Sequence, residues 1–156
     1  PIIFRIFAKN IKMAKEFKGR VVIGGEVSGT AVVSRQGLNT LASYQAVAMK
    51  YKPKKAICGD QNNPDLYKKD LAGIILCLPQ TIGSTTGGLV IEAVAQKGLA
   101  PAAMLFSEHV DSICASGLIL ADIWVGKKII TIDQLEKNFY PQCRQARQSE
   151  LKKMVL

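Results

Sequence analysis

The stretch from Ile74 to Phe106 constrains this chain most. The apolar run Ile74-Ile75-Leu76-Cys77-Leu78-Pro79 leads to Gly83-Ser84-Thr85-Thr86-Gly87-Gly88 and then to Leu89-Val90-Ile91-Glu92-Ala93-Val94-Ala95. That order reads as a strand, a small-residue turn and a helix over about 87–97. Gly98 and Pro101 stop the helix, and Ala102–Phe106 forms the next strand. A β-α-β unit brings parallel pairing, so the chain reads as an α/β domain with a helix on one face of its sheet. The turn also opens a helix N-terminus, where free N–H groups and the helix dipole favour an anion. Ser84 is the first residue to suspect of reactivity.

The rest of the chain fills in around this unit. Arg20–Ile23 reads as a strand, Gly24-Gly25 as a turn and Glu26–Val33 as a second strand, a hairpin or bulged pair. Residues 38–50 are ambiguous between an irregular loop and a short helix capped by Asn39 or Ser43. Lys55–Cys58 reads as a short buried strand, and Asp60–Asp65 is dense in turn formers. Further on, Val110–Ser116 reads as a short helix ended by Gly117. Leu118–Ala121 and Lys128–Thr131 read as strands, and Asp133 as the cap of a last helix over 134–139. Hairpins followed by β-α-β-α-β give an α/β fold with a mixed sheet. The expected architecture is three layers, β/β/α, with helices on one face.

Length suits one domain with a sizeable core, and the apolar runs are too short to cross a bilayer. The net charge of +9 belongs largely to the ends, because residues 13–143 hold 14 basic against 11 acidic side chains. Without an aromatic-rich basic stretch, neither nucleic acid nor membrane is expected as a partner. Residues 1–12 are apolar and basic and read as a non-native or flexible extension, with Met13 a plausible start. Residues 144–156 read as a basic C-terminal tail, leaving 13–143 as the domain. Cys58, Cys77, Cys114 and Cys143 form no CxxC pair and the single histidine is His109. No self-contained metal or iron–sulfur site is therefore expected, and reduced core cysteines point to the cytoplasm.

The turn at 83–88 lacks the lysine of a P-loop, the spacing of a dinucleotide fingerprint and the order of a nucleophile elbow. From the residues alone, an anion or substrate site and a plain capped turn remain equal readings. His109, in Ser107-Glu108-His109-Val110-Asp111, reads as a general base, a phosphate carrier or an ordinary surface residue. Asp60 and Asn62 are polar groups near a strand end, with turn chemistry as their plainer role.

Several phrases in consistent order carry a family resemblance. They are Phe17-Lys18-Gly19-Arg20-Val21-Val22, Gly25-Glu26-Val27-Ser28-Gly29-Thr30-Ala31-Val32-Val33-Ser34, Leu71-Ala72-Gly73, the segment from Leu78-Pro79 to Gly88, Gly98–Ala103 and Ala115–Asp122. Over roughly residues 15–135 the chain resembles the small, swivel-type subunit of aconitase X. The resemblance implies a swivelling β/β/α domain that works with a larger catalytic chain as a hydro-lyase. Family activities are dehydration of mevalonate 5-phosphate and of cis-3-hydroxy-L-proline. Iron or an iron–sulfur cluster is implied on the large partner, none on this chain alone. The resemblance makes Ser84 the catalytic residue, with Gly83, Thr85, Thr86, Asp60 and Asn62 about a small hydroxy-acid substrate. Archaeal phosphomevalonate members carry Gly-Arg where this chain has Thr81-Ile82, and their loop differs from Asp60–Asn63. These departures favour the hydroxyproline type. Two other functions compete: a swivelling phosphohistidine carrier, which would have to use His109, and a non-catalytic anion-binding or assembly module.

Overall fold

The computed structural model describes residues 2–8, 15–136, 139 and 151–155, with side chains from residue 17 to 136 and at 139. Its elements run β1 (Ile2–Ala8), β2 (Lys15–Ile23), β3 (Val27–Gly29), β4 (Ala31–Val33), β5 (Leu38–Asn39), α1 (Thr40–Met49), β6 (Ile75–Leu78) and β7 (Thr81–Ile82). They continue α2 (Gly87–Gln96), β8 (Ala103–Phe106), α3 (Ser112–Ile123), β9 (Ile130–Asp133) and β10 (Leu151–Val155). Eight strands pair in the order β3-β10-β1-β2-β9-β8-β6-β4, and β5 pairs with β7 alone.

That order forces two β-layers. β3 and β4 stand at opposite ends of the sheet, yet only Thr30 separates them in the chain. In a flat sheet, neighbouring strands lie about 4.8 Å apart, so the two ends would be roughly 34 Å from each other. One residue spans only about 3.5 Å. The sheet therefore curls until its ends meet. One half, β3-β10-β1-β2, is antiparallel; the other, β4-β6-β8-β9, is parallel; β2 and β9 join them antiparallel. With three helices outside the parallel half, this is the three-layer β/β/α arrangement.

Strand alternation separates two cores. Ile75 and Cys77 of β6, Ala103 and Leu105 of β8, and Ile130 and Ile132 of β9 pack between the β-layers with Phe17, Leu135 and Phe139. The rings of Phe17 and Phe139 meet edge to face, 5.3 Å between centroids. Leu76, Leu78, Met104 and Phe106 point the other way, onto Tyr44, Val47, Val90, Ile91, Val94, Cys114, Leu118 and Ala121 from the helices. Strands buried on both faces read in the sequence as unbroken apolar runs, which is why β6 and β8 were legible.

Several expectations change. The hairpin over 20–33 does not form. β2 pairs with β1 over Lys15–Gly19 and with β9 over Arg20–Ile23, while β3 pairs with β10. Lys55–Cys58 is not a strand; Ile57 makes one bridge to Asp70, and the local amides bond the 68–71 loop. The helix stop at Gly117 and the strand over 118–121 are replaced by one helix, α3. Gly117 lies against the backbone of Gly88, so its lack of a Cβ serves a helix crossing rather than a helix end. Cys114, Gly117, Leu118 and Ala121 share the buried face at helical spacing. Asp133 ends β9, and its carboxylate accepts from Arg20 and the Val110 amide. Residues 134–136 are not helical, 137 and 138 lie outside the described residues, and Phe139 is in a helical turn. Residues 2–8 and 151–155, set apart in the sequence reading as extension and tail, are strands of the antiparallel half.

Candidate active site

The site forms where three helices begin. α1, α2 and α3 follow β5, β7 and β8 in the chain, and their first residues converge. A cleft of about 230 Å³ is lined by Thr40, Thr81, Ile82, Gly83, Ser84, Gly87, Asp111, Ile113 and Cys114. Thr40 opens α1, Gly87 opens α2, and Asp111 is the N-cap of α3. Each helix N-terminus carries roughly half a positive charge, and the Asp111 carboxylate offsets that of α3; no cationic side chain is among the lining residues.

The β5–β7 pairing builds this convergence. Asn39 stands opposite Ile82, which sets the N-terminus of α1 against the Gly83 turn. Gly83 has φ +101, a conformation side chains rarely adopt, and a Cβ there would lie 2.9 Å from the Asn39 side chain. A Cβ on Gly87 would collide with the Thr40 hydroxyl. Glycine is required at both places, because bulk there would separate α1 from the turn.

The three helix starts differ in capping. Asn39 accepts from the Ala42 amide at the head of α1. Asp111 Oδ1 accepts from the Ile113 and Cys114 amides at the head of α3, both at 2.9 Å. At the head of α2, Thr86 makes no side-chain cap and the first turn holds no acid. The Gly87 amide turns back to the Ser84 carbonyl. Ser84 stands at this uncapped start. Its hydroxyl lies 2.8 Å from the Thr86 hydroxyl and accepts from the Thr86 amide at 3.2 Å.

In the same cleft, the Thr81 hydroxyl donates to Asp111 Oδ2. Cys114 lies beside them in the cleft wall. Burial pushes its thiol up to about 12, the Thr81 hydroxyl pulls the other way and the Asp111 carboxylate adds to the rise. The thiol is therefore protonated near neutrality. Among the described residues, no three His, Cys, Asp or Glu come together in a metal-holding group.

Of the residues singled out in the sequence, Gly83 and Ser84 line the cleft and Thr86 touches Ser84. Thr85 is exposed on the same turn. Asp60 and Asn62 are not among the lining residues; Asp60 Oδ1 accepts the Asn62 amide in a local turn. Thr40, Asp111, Ile113 and Cys114 were not read as site residues. Asp111 had a signal, an aspartate just before a helical apolar pattern, which is an N-cap signature.

His109 belongs to a different cluster. Asp133, fully buried, accepts from Arg20 Nε at 2.8 Å and Arg20 Nη2 at 2.6 Å, and from the Val110 amide at 2.9 Å. Burial alone would raise the Asp133 carboxyl; the Arg20 guanidinium and the Val110 amide outweigh it and hold it below the usual carboxylate range. His109 Nδ1 is 2.6 Å from the Val110 carbonyl and Nε2 is 3.1 Å from Arg20. A carbonyl only accepts, so Nδ1 carries the proton toward it.

The profile of the aconitase X swivel domain matches residues 16–154. The phosphomevalonate dehydratase small subunit of Thermococcus kodakarensis is 34% identical over 108 residues, 69% of this chain and 74% of that protein. The protein of the same name from Pyrococcus furiosus is 35% identical over 108 residues, 69% of this chain and 74% of its own length. The crystal structure of Thermococcus kodakaraensis aconitase X in its holo form superposes with a TM-score of 0.67 at 24% identity, covering 89% of this chain and 95% of that one. With its swivel architecture and a profile match over most of its length, the chain belongs to the aconitase X swivel-domain family.

Proposed function

We propose that this chain is the small, swivel subunit of a two-chain hydro-lyase that dehydrates a hydroxy acid, with Ser84 as the base. The observation that carries this reading is the uncapped start of α2. The other two helix starts at the cleft are closed by their own side chains, and this one holds Ser84 instead. Dehydration beside a carboxylate removes the α-proton while the hydroxyl on the next carbon leaves. The C–H electron pair becomes the new double bond, and the proton passes to Ser84 Oγ. A serine accepts it only as an alkoxide, and here the Thr86 amide, the Thr86 hydroxyl and the α2 dipole all face that oxygen. The neighbouring amides of the first helical turn suit the substrate carboxylate.

This chain's own residues do not fit iron or an iron–sulfur group. The cleft offers one protonated thiol, Cys114, and one carboxylate, Asp111, already engaged by Thr81 and the α3 amides. The metal is assigned to the large partner, and departure of the hydroxyl belongs to that half. The substrate we favour is of the cis-3-hydroxy-L-proline type. Thr81-Ile82 stands where an arginine would serve a phosphate, and no lining side chain is cationic. A second reading, mevalonate 5-phosphate, is favoured by the names of the relatives. No described helix is long and apolar enough to cross a membrane, and Cys58, Cys77 and Cys114 are free and buried. Both facts suit work in a reducing cytoplasm.

The test is co-expression with an aconitase-X-like large chain, followed by assay of the purified complex with both substrates. Turnover only in the complex, lost in Ser84→Ala, supports the proposal. Near-normal turnover of Ser84→Ala would sink the assignment of the base.

A further inference from the structure

We infer that the outward face of α2 and α3, from the rim of the cleft to Ile123 and Trp124, is the surface on which the large chain docks. This rests on the reading above, in which the other half of the active site stands on that chain, and it says where the two chains meet. The first observation is a shortage of charge. Only two charged side chains, Glu92 and Asp122, stand in α1, α2 and α3, although charged residues make up 21% of the chain. A helix that faces water on one side carries its polar and charged residues there, and a helix that is apolar all round is buried all round. The inward face of α3 is Cys114, Gly117, Leu118 and Ala121. Its outward row, Ser112, Ser116, Ile119 and Ile123, holds no charge and is exposed along its length. Ile119 is 46% exposed, Ile123 70% and Trp124 76%, and Leu89 on α2 is 60% exposed.

The two helices present one surface rather than two. At their crossing the backbones of Gly88 and Gly117 touch with no side chain between them; a Cβ on Gly117 would lie 2.3 Å from the Gly88 carbonyl oxygen. Lysines stand beyond this surface. Lys97 directly follows α2, and Lys127 and Lys128 follow α3 after a short turn, all of them exposed. An apolar centre with a polar, charged rim is the anatomy of a protein–protein interface.

Continuity with the cleft identifies the occupant. α3 begins there: Asp111 caps it and Ile113 lines the wall. Ile82, another lining residue, is 46% exposed, and Leu89 stands in the first turn of α2, just after the Ser84 turn. An apolar cover on this rim excludes water from the Ser84 oxygen and so strengthens the donors that hold its charge. A chain that completes the site must touch this rim, and the uncharged row of α3 leads away from it without interruption.

The test measures binding of the full-length chain to an aconitase-X-like large chain by isothermal titration calorimetry. Ile119→Lys/Ile123→Lys should weaken binding about a hundredfold, the scale of two buried anchors. Its melting temperature should stay unchanged, because both side chains face water in the free chain. Trp124→Ala, which adds no charge, should weaken binding about tenfold. Met49→Lys, exposed on α1 outside this face, should bind as wild type does. Equal binding by all three variants would overturn the docking face, and so would a loss confined to Met49→Lys. Ser84→Ala separates the two readings: it should bind the large chain normally while turnover is lost. Normal binding and turnover in Ile119→Lys/Ile123→Lys, with Ser84→Ala inactive, would sink the docking face and leave the base standing. Absence of wild-type binding would overturn both. Sedimentation of the chain alone covers a second copy as occupant: a dimer that Ile119→Lys/Ile123→Lys dissociates would assign the face to self-association and refute the inference.

Discussion

The turn that joins β6 to α2 and the loop that joins β8 to α3 leave neighbouring parallel strands and enter neighbouring helices. Their polar groups are handled in opposite ways. In the loop after β8, Asp111 caps α3 and takes the Thr81 proton, the Val110 amide goes to Asp133, and both nitrogens of His109 have protein neighbours. In the turn after β6 and β7, the Thr86 side chain does not cap α2, and among the described residues the Ser84 hydroxyl meets the Thr86 hydroxyl and amide. One connection closes on itself and holds the fold; the other keeps donors facing a cleft. A lone histidine attracts attention in a sequence, yet it sits in the closed connection. The serine among small residues sits in the open one.

The largest expected effect tests the open turn. Ser84→Ala in the complex should lower kcat by about 10² or more, the scale of a lost general base, with the chain's melting temperature little changed. A small kinetic effect would make the two connections alike and break the comparison.

Next comes the crossing that holds the two helices together. Gly117→Ala places a Cβ against the Gly88 backbone, which has no flexible end to yield. Overpacking of this kind costs about 1–3 kcal/mol, read as a drop in denaturant midpoint. A neutral result would mean that the α2–α3 crossing is looser than the geometry indicates.

The closed loop is tested through Asp133. Asp133→Ala leaves the buried Val110 amide without its acceptor, a cost of about 1–3 kcal/mol. The pH dependence has a definite sign. The folded-state pKa of Asp133 is lowered, so the unfolded chain binds its proton more readily. Its stabilisation is complete above the unfolded carboxyl value of about 3.9 and is lost as pH falls through the lower folded value. Wild type should therefore lose more stability than Asp133→Ala between about pH 5 and pH 2. Parallel melting-temperature curves for the two would contradict this.

The smallest effect sharpens the contrast in capping. Asp111→Ala removes a real cap and should cost about 1–2 kcal/mol, whereas Thr86→Ala removes none and should stay within about 0.5 kcal/mol. Equal costs, measured by chemical denaturation, would show that α2 is capped after all.

Much of the fold was legible in the residues. β6, α2 and β8 announce themselves because strands buried on both faces are continuously apolar and because Gly98 closes the helix with φ +70. The errors share a cause. Gly117 reads as a stop because a glycine beside an apolar run resembles a helix end; its partner is Gly88, far away in sequence. Glu26–Val33 reads as the return of a hairpin because proximity in sequence suggests pairing; β3 pairs instead with β10 and β4 with β6, strands far away in the chain. In the site, Ser84 and Gly83 stood out locally. Thr40, Asp111 and Cys114 did not, because each looks like an ordinary helix residue until three helix starts meet.

The sequence by itself determined the local elements: where strands are apolar on both faces, where glycines end or open helices, and that a serine stands at a helix start. Periodicity and capping are short-range properties, readable within about a dozen residues. Only the tertiary structure decided which helix starts share a cleft, which of them lacks a cap, and that Thr81, Asp111 and Ser84 line it together. Those relations depend on the curl of the eight-stranded sheet and on the β5–β7 pairing. They join residues from three separate segments of the chain, whose meeting no local pattern specifies.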